Sequence, residues 1–239
     1  LLIHMDKVTK GSLFKSINSF MKSKAKSLNL QSPDGVSSRE VLLMKTPEKS
    51  NTFLWLGLFK SISKIANSLG KQDISVMFAC KYPDGKDESW LTEVCCRQIE
   101  ASAYIFGSSK NKTIVKPSLK RASIIASSVT ASALKKLKNS AKVGFAVGEA
   151  MNAAKHLGDM PANLCTPRII ERKVKALKKP FPKLKISTFN EKDLAKLKMG
   201  SFLSVGRGSD EPSRMMTIEH KGGKAGEKPI VLVGKGIAF

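Results

Sequence analysis

The sequence is poor in cysteine, acidic and aromatic residues, and it lacks any long apolar run. Neither CxxC spacing nor a Cys/His ligand pattern appears among its four cysteines, which disfavours a zinc ribbon, a zinc finger or a redox pair. Four cysteines in 239 residues do not form a disulfide scaffold either, so a reducing compartment is expected. No apolar run approaches the ~20 residues that a membrane helix needs, so no membrane partner is expected.

Acidic residues are outnumbered, with 42 Lys and Arg against 19 Asp and Glu, for a net charge of +23. The excess is regional: residues 101–148 hold nine basic and no acidic residues, and residues 166–198 hold eleven basic and three acidic ones. Such a surface could bind DNA by releasing counterions. Residues 107–144 contain no aromatic residue and a single arginine, so a solvated lysine-rich surface is favoured, and DNA remains the alternative.

Residues 7–28 are basic, rich in serine and free of acids, which resembles an organellar transit peptide. The same residues place apolar side chains at helical spacing behind Ser12, a candidate N-cap. We favour an amphipathic surface helix that packs on a sheet, because it explains the pattern without targeting.

Short apolar runs then alternate with helical patterns, which indicates an α/β fold with a largely parallel or mixed sheet. The predicted strands cover 41–44, 53–59, 74–79, 122–129, 184–189, 202–205, 214–219 and 229–234. The predicted helices cover 58–69, 90–106 with Ser89 as cap, 132–157, a segment beginning at Pro167, and 191–199 capped by Asn190.

The Ala-rich helix in the middle of the chain predicts how the chain is divided. Gly144 and Gly148 lie four residues apart, one turn of that helix, which leaves a shallow surface where another backbone could approach closely. Prolines 161 and 167 end the helical pattern. We therefore expect an N-terminal α/β domain at 1–131, a connecting helix at 132–160 and a second, incomplete α/β domain at 161–239.

Most candidate catalytic motifs fail on inspection. Gly206-Arg207-Gly208 lacks the third glycine of a dinucleotide fingerprint, and the three histidines lie far apart with no HExxH motif. One site remains, where a predicted buried strand delivers Lys235 between two glycines, since α/β sheets place their sites at the carboxyl ends of strands. There Lys235 could hold a phosphate or carboxylate, or act as a neutral amine ligand, although an exposed turn lysine is at least as probable from the residues alone.

Three runs of residues resemble the leucyl aminopeptidase (cytosol aminopeptidase) family. They are 150–167 (AMNAAKHLGDMPANLCTP), 199–209 (MGSFLSVGRGS) and 229–239 (PIVLVGKGIAF). The last run is the most specific of the three. The residues before 140 are similar only in the order of elements and in a few apolar runs.

The resemblance implies a two-metal exopeptidase that releases N-terminal residues, often Leu, from peptides. It implies two Mn or Zn ions, a cytoplasmic homo-hexamer and, in some members, DNA binding. It assigns Lys235 as a ligand of one metal. The family's further ligands lie beyond the position that matches Phe239, so no catalytic residue is expected within these 239 residues and the chain alone is expected to be inactive. The alternative function is a basic DNA-binding or oligomerisation module without catalytic activity.

Overall fold

A computed structural model describes residues 12–31, 33, 38–47, 51–107, 117–126, 130–224 and 226–237. They form an α/β fold, as predicted, with three two-stranded sheets among the described residues. The chain divides into two compact units, Leu1–Asn152 and Ala153–Phe239. Within the described ranges, no helix has the length and apolar character needed to cross a membrane.

The first unit alternates helices and short strands. Its elements are α1 (Ser12–Lys22), β1 (Ser27–Gln31), β2 (Glu40–Met44), α2 (Thr52–Ser68), β3 (Asp73–Met77), α3 (Glu88–Ser102), β4 (Arg121–Ile125) and α4 (Ala131–Asp159), which runs past the end of the unit. Strands β1 and β2 pair antiparallel, with Leu28 opposite Leu43. Strands β3 and β4 pair parallel, with Val76 opposite Ile124.

The predicted amphipathic helix is present as α1, but Leu28 belongs to β1 rather than to the helix. Ser12 is the first helical residue, and residues 7–11 lie outside the described part of the chain. Residues 127–129 of the predicted strand 122–129 and residues 108–116 of the predicted loop also lie outside it.

The prediction of a strand at 53–59 is wrong, because these residues form the first turns of α2. The side chain of Asn51 accepts a hydrogen bond from the Phe53 backbone N–H at 2.9 Å and caps the helix. Trp55 and Phe59, four residues apart, are buried on its inner face, whereas Phe53 is 79% exposed. The continuous apolar run thus covers both faces of a helix.

The core of this unit lies between α2 and α3. Its fully buried cluster consists of Trp55, Phe59, Leu91, Val94 and Cys95, with side chains of β3 and β4 packed against it. Helix α3 begins at Glu88 and ends at Ser102, so the predicted extent of 90–106 is too late at both ends. The cap is Asp87, whose carboxylate accepts from the Trp90 N–H at 2.9 Å, rather than Ser89.

The close approach predicted at Gly144 and Gly148 is confirmed. Both glycines are buried in α4 and face α3. A Cβ added at Gly144 would overlap the backbone carbonyl oxygen of Glu93, and one added at Gly148 would lie 2.6 Å from the Cβ of Glu100. The two helices therefore pack backbone against backbone at this point.

Replacing Thr92 by valine is expected to stabilise the first unit by about 1 kcal/mol. Thr92 is 1% exposed, and its Oγ1 has no hydrogen-bond partner among the described residues. Valine keeps the shape and removes the unsatisfied hydroxyl. Urea unfolding followed by the fluorescence of the buried Trp55 measures the change.

The matched control is Thr92→Ser, which keeps the hydroxyl and removes a buried methyl group. We expect this variant to lose about 1 kcal/mol of stability. A valine variant less stable than the native chain would mean that the hydroxyl has a partner in solution, which contradicts the prediction.

The second unit is built around one antiparallel pair of strands. Its elements are α5 (Pro167–Ala176), β5 (Leu184–Phe189), α6 (Glu191–Lys196), α7 (Gly200–Val205) and β6 (Met215–His220). Helix α5 begins at Pro167 as predicted, with Thr166 as its cap, and the predicted cap Asn190 is confirmed within a full capping box with Asp193. Strands β5 and β6 pair with Ile186 opposite Ile218.

Two predictions around α6 and α7 are wrong. Residues 202–205 are helical in α7 rather than a strand, and the helix predicted over 191–199 ends at Lys196, after which Lys198 adopts a positive φ of 57°. The backbone N–H of Met199 donates to the Leu194 carbonyl across this turn at 3.0 Å. The left-handed Lys198 thus ends α6, and α7 begins two residues later.

Glu171 ties α5 to β6 by ion pairs. Its carboxylate accepts from Lys175 Nζ at 2.6 Å and from Arg214 Nε at 2.9 Å, and the Glu171 and Arg214 side chains are only 16% and 17% exposed. The hydrogen bond from Lys175, followed by that from Arg214, lowers the pKa of Glu171 despite its partial burial.

Replacing Glu171 by glutamine is expected to destabilise the second unit at neutral pH by about 1–2 kcal/mol, because it leaves Arg214 without its charged partner. Because the pKa is lowered on folding, the native carboxylate stabilises the unit above the ordinary pKa of Glu, and this contribution is lost as the pH falls through the lowered value. Hydrogen exchange of β5 and β6 amides against pH measures both effects.

Glu219→Gln is the matched control, since its side chain is 50% exposed and lies 3.9 Å from Lys185 and 3.6 Å from Lys221. The Glu219→Gln substitution should change the hydrogen exchange of the β5 and β6 amides little. If Glu171→Gln and Glu219→Gln change hydrogen exchange equally, the ion pairs of Glu171 do not stabilise the unit more than exposed pairs do, which contradicts the prediction.

Candidate functional site

Lys235 lies on an extended segment rather than on a buried strand. Residues 227–237 form no helix or strand, so the strand predicted at 229–234 is absent from the structure. Ile230, Leu232 and Val233 are 92–95% exposed. A strand forms only where neighbouring strands accept its hydrogen bonds, and the described strands β5 and β6 pair with each other instead.

The surroundings of Lys235 are open. Its side chain is exposed, and nothing lies within 4 Å of a Cβ built on Gly234 or Gly236. The glycines therefore leave space on both sides of the lysine, as the sequence predicted for a ligand position. The segment carries four consecutive exposed apolar side chains at 230–233 and the exposed amines of Lys228 and Lys235.

The residues present do not by themselves fit a metal site. No group of three or more His, Cys, Asp or Glu side chains in the described ranges could hold a metal ion. His156 lies in the last turn of α4. His220 ends β6, and its imidazole packs against Gly222. The two histidines therefore lie on different elements. One amine cannot hold two divalent cations. We therefore derive no chemistry through a metal held by these residues alone.

Three of the four cysteines are held as protonated thiols by burial. All four are free, and burial raises the pKa of Cys80, Cys95 and Cys96. A raised pKa keeps a thiol protonated and unreactive at neutral pH. Cys165 donates from Sγ to the Leu157 carbonyl at 3.5 Å, next to the turn that precedes α5.

Helix α4 presents an unneutralised row of lysines. Lys135, Lys138 and Lys142 recur at i, i+3 and i+7 and line an open groove of about 600 Å³ together with Leu134 and Asn139. No carboxylate is among the described residues that line it. Lys136, on the neighbouring face, is instead paired with the helix-capping Asp87 at 2.7 Å.

Comparison with known proteins places the chain beside peptidases. The profile described as "Cytosol aminopeptidase family, catalytic domain" matches residues 152–239. A probable cytosol aminopeptidase of Aromatoleum aromaticum is 36% identical over 189 residues, which cover 77% of this chain and 37% of the relative. One from Nitrosomonas europaea is 32% identical over 216 residues, covering 89% of this chain and 43% of that protein.

Solved structures share the fold at low sequence identity. A tomato leucine aminopeptidase variant superposes with a TM-score of 0.68 at 18% identity, over 92% of this chain and 44% of that one. The bottromycin maturation enzyme BotP in complex with Mn gives a TM-score of 0.65 at 17% identity, over 86% of this chain and 41% of that one. The chain thus spans about two-fifths of the length of the curated relatives it matches.

Proposed function

Because the chain belongs to the cytosol aminopeptidase family, we propose that the whole protein is a metal-dependent aminopeptidase that releases N-terminal amino acids of the Leu type from peptides. The observation that carries this proposal is the match of residues 152–239 to the family's catalytic domain. That match includes Gly234, Lys235 and Gly236, whose surroundings are open. The reaction proposed is two-metal hydrolysis with Mn or Zn.

We further propose that Lys235 is one ligand of that metal pair, and that acidic ligands outside these 239 residues complete it. The exposed amine of Lys235 and the lack of a group of three or more His, Cys, Asp or Glu side chains among the described residues support this division. The chain alone is then inactive. The domain assignment of 1–131, 132–160 and 161–239, cytoplasmic localisation and a homo-hexamer are further parts of the proposal.

Hydrolysis of leucine p-nitroanilide by the whole protein tests the activity. We expect turnover after addition of Mn or Zn, loss of turnover with a chelator, and recovery when either metal is restored. The 239-residue chain, assayed in parallel, should show no turnover. A whole protein that shows no metal-dependent turnover on any leucyl substrate would contradict the proposal.

A second candidate function, DNA binding, is favoured by the lysine row on α4. Along a helix, Lys135 and Lys142 are separated by about 10 Å, and Lys138 lies between them. Three cations in a groove without carboxylates could contact successive phosphates of one strand. This binding could coexist with peptidase activity.

Duplex DNA binding as a function of salt concentration tests the second candidate. We expect Lys138→Gln to reduce the slope of log affinity against log salt by about 1, as loss of one phosphate contact would. Lys64→Gln in α2 removes an equally exposed charge elsewhere and should leave the slope nearly unchanged. Absence of binding at low salt would discard this function.

A further inference from the structure

An open cleft in the second unit gathers positive side chains from two parts of the chain. Its volume is about 330 Å³, at the lower end of the range for ligand sites. The side chains that line it are Arg168, Glu171, Arg172, Lys175 and Arg214. The first four follow one face of α5 at i, i+3, i+4 and i+7, and the fifth comes from the segment that enters β6.

Existing ion pairs hold most of these cations in place. Arg168 donates from Nε and Nη2 to the two carboxylate oxygens of Glu211, both at 2.9 Å. Arg214 donates from Nε to Glu171 and from Nη1 to the Ser213 carbonyl, each at 2.9 Å. These bonds leave Nη1 of Arg168 and Nη2 of Arg214 with hydrogen-bond capacity, already oriented before any ligand binds.

The charge of the cluster is not balanced. Four cations are opposed by the carboxylates of Glu171 and Glu211, whose pKa values are lowered by their basic partners, so both stay ionised at neutral pH. Arg172 forms no ion pair or hydrogen bond recorded among the described residues. It therefore contributes a complete guanidinium fork to a cleft that has two positive charges in excess.

We propose that this cleft binds a phosphate dianion, with Arg172 as its main contact and Lys175 and Arg214 beside it. A guanidinium fork matches two oxygens of a tetrahedral oxyanion, as an ammonium group does not. Among the described residues, no aromatic side chain lines the cleft to stack a base. The ligand chemistry is thus the phosphate group itself, either free or as the terminal group of a small ester.

Phosphorus NMR line broadening of inorganic phosphate, at an ionic strength held constant with sodium chloride, tests the proposal on the whole chain. Because the cations are partly exposed and screened, we expect a Kd on the order of 1 mM. Arg172→Gln should weaken binding roughly tenfold. Lys173→Gln removes one charge from the next position of α5, outside the cleft, and should leave binding within about twofold.

The same titration with glycerol 3-phosphate separates the two sources of the ligand. Tighter binding than inorganic phosphate identifies an ester, and weaker binding identifies free phosphate. If Arg172→Gln and Lys173→Gln weaken phosphate binding equally, the anion is attracted diffusely to a basic surface, and the proposed site is wrong. Absence of broadening at millimolar phosphate would overturn it as well. Neither result bears on the peptidase assay, because the proposal does not rest on that activity.

Discussion

Replacing Gly144 by alanine is expected to destabilise the first unit by about 2 kcal/mol. The added methyl group would overlap the carbonyl oxygen of Glu93 and lie 2.9 Å from its carbonyl carbon and 3.1 Å from the Cβ of Cys96. Because the nearest atoms belong to the backbone of α3, no side-chain rotation relieves the overlap. Overpacking of this kind costs about 3 kcal/mol at its upper range, offset by about 1 kcal/mol of improved helix propensity.

Gly148→Ala should cost less, about 1 kcal/mol, because its overlap is less severe: an added Cβ would lie 2.6 Å from the Cβ of Glu100 and 3.0 Å from the backbone oxygen of Arg97. The double variant distinguishes two ways of relieving the overlap. If α3 and α4 separate as rigid bodies, the space opened for one methyl group admits the other, and the double variant loses less than the sum. Full additivity would mean that each site relaxes locally.

Gly57→Ala is the matched control. Gly57 lies inside α2, where nothing is within 4 Å of an added Cβ. Alanine should therefore stabilise the helix by about 0.5–1 kcal/mol. Fluorescence reports on this unit selectively, since both tryptophans of the chain, Trp55 and Trp90, lie in it. A Gly144 variant as stable as the Gly57 variant would contradict the close helix approach.

The contrast between these glycines and residues 53–59 shows which parts of the fold a sequence can specify. Two glycines four residues apart in a long helix lie on the same face and leave little there but backbone. The close helix approach predicted from them is present. A run of seven apolar residues fits a buried strand and a helix equally well. The deciding signal was the cap at Asn51, two residues before the run, whose side-chain Oδ1 accepts from the Phe53 N–H.

The candidate site at Lys235 shows a different limit of prediction from sequence. The position of Lys235 between two glycines could be read from the sequence, but its role came from resemblance to a family and not from any constellation of residues nearby. The structure adds open space around both glycines, and the described side chains include no group of three or more His, Cys, Asp or Glu that could hold a metal ion. The cluster of basic side chains around α5 could not be predicted from the sequence either. Arg214 lies about 40 residues further along the chain and joins the cluster only because β5 pairs with β6.

In the whole protein, Lys235→Arg is expected to lower kcat at least about 100-fold while leaving the stability of the second unit unchanged. A metal ligand must offer an available lone pair, which a deprotonated amine can do and a guanidinium group cannot. Loss of one ligand exceeds the 10–100-fold effects that are typical of residues that only orient ligands. Because Lys235 is exposed and its flanking glycines are unobstructed, the longer side chain fits without strain.

Lys228→Arg makes the same chemical change at another exposed lysine of this segment and should leave kcat within about threefold. The metal concentration that gives half-maximal activity supplies a second readout, since a lost ligand weakens metal binding and a general surface effect does not. If Lys235→Arg keeps both its turnover and its metal requirement, Lys235 is only a surface cation, and the peptidase activity must depend on other residues. If turnover falls and the metal requirement rises while hydrogen exchange is unchanged, the exposed amine of this chain acts at the metal centre, and the open space around it is where the remaining ligands must converge.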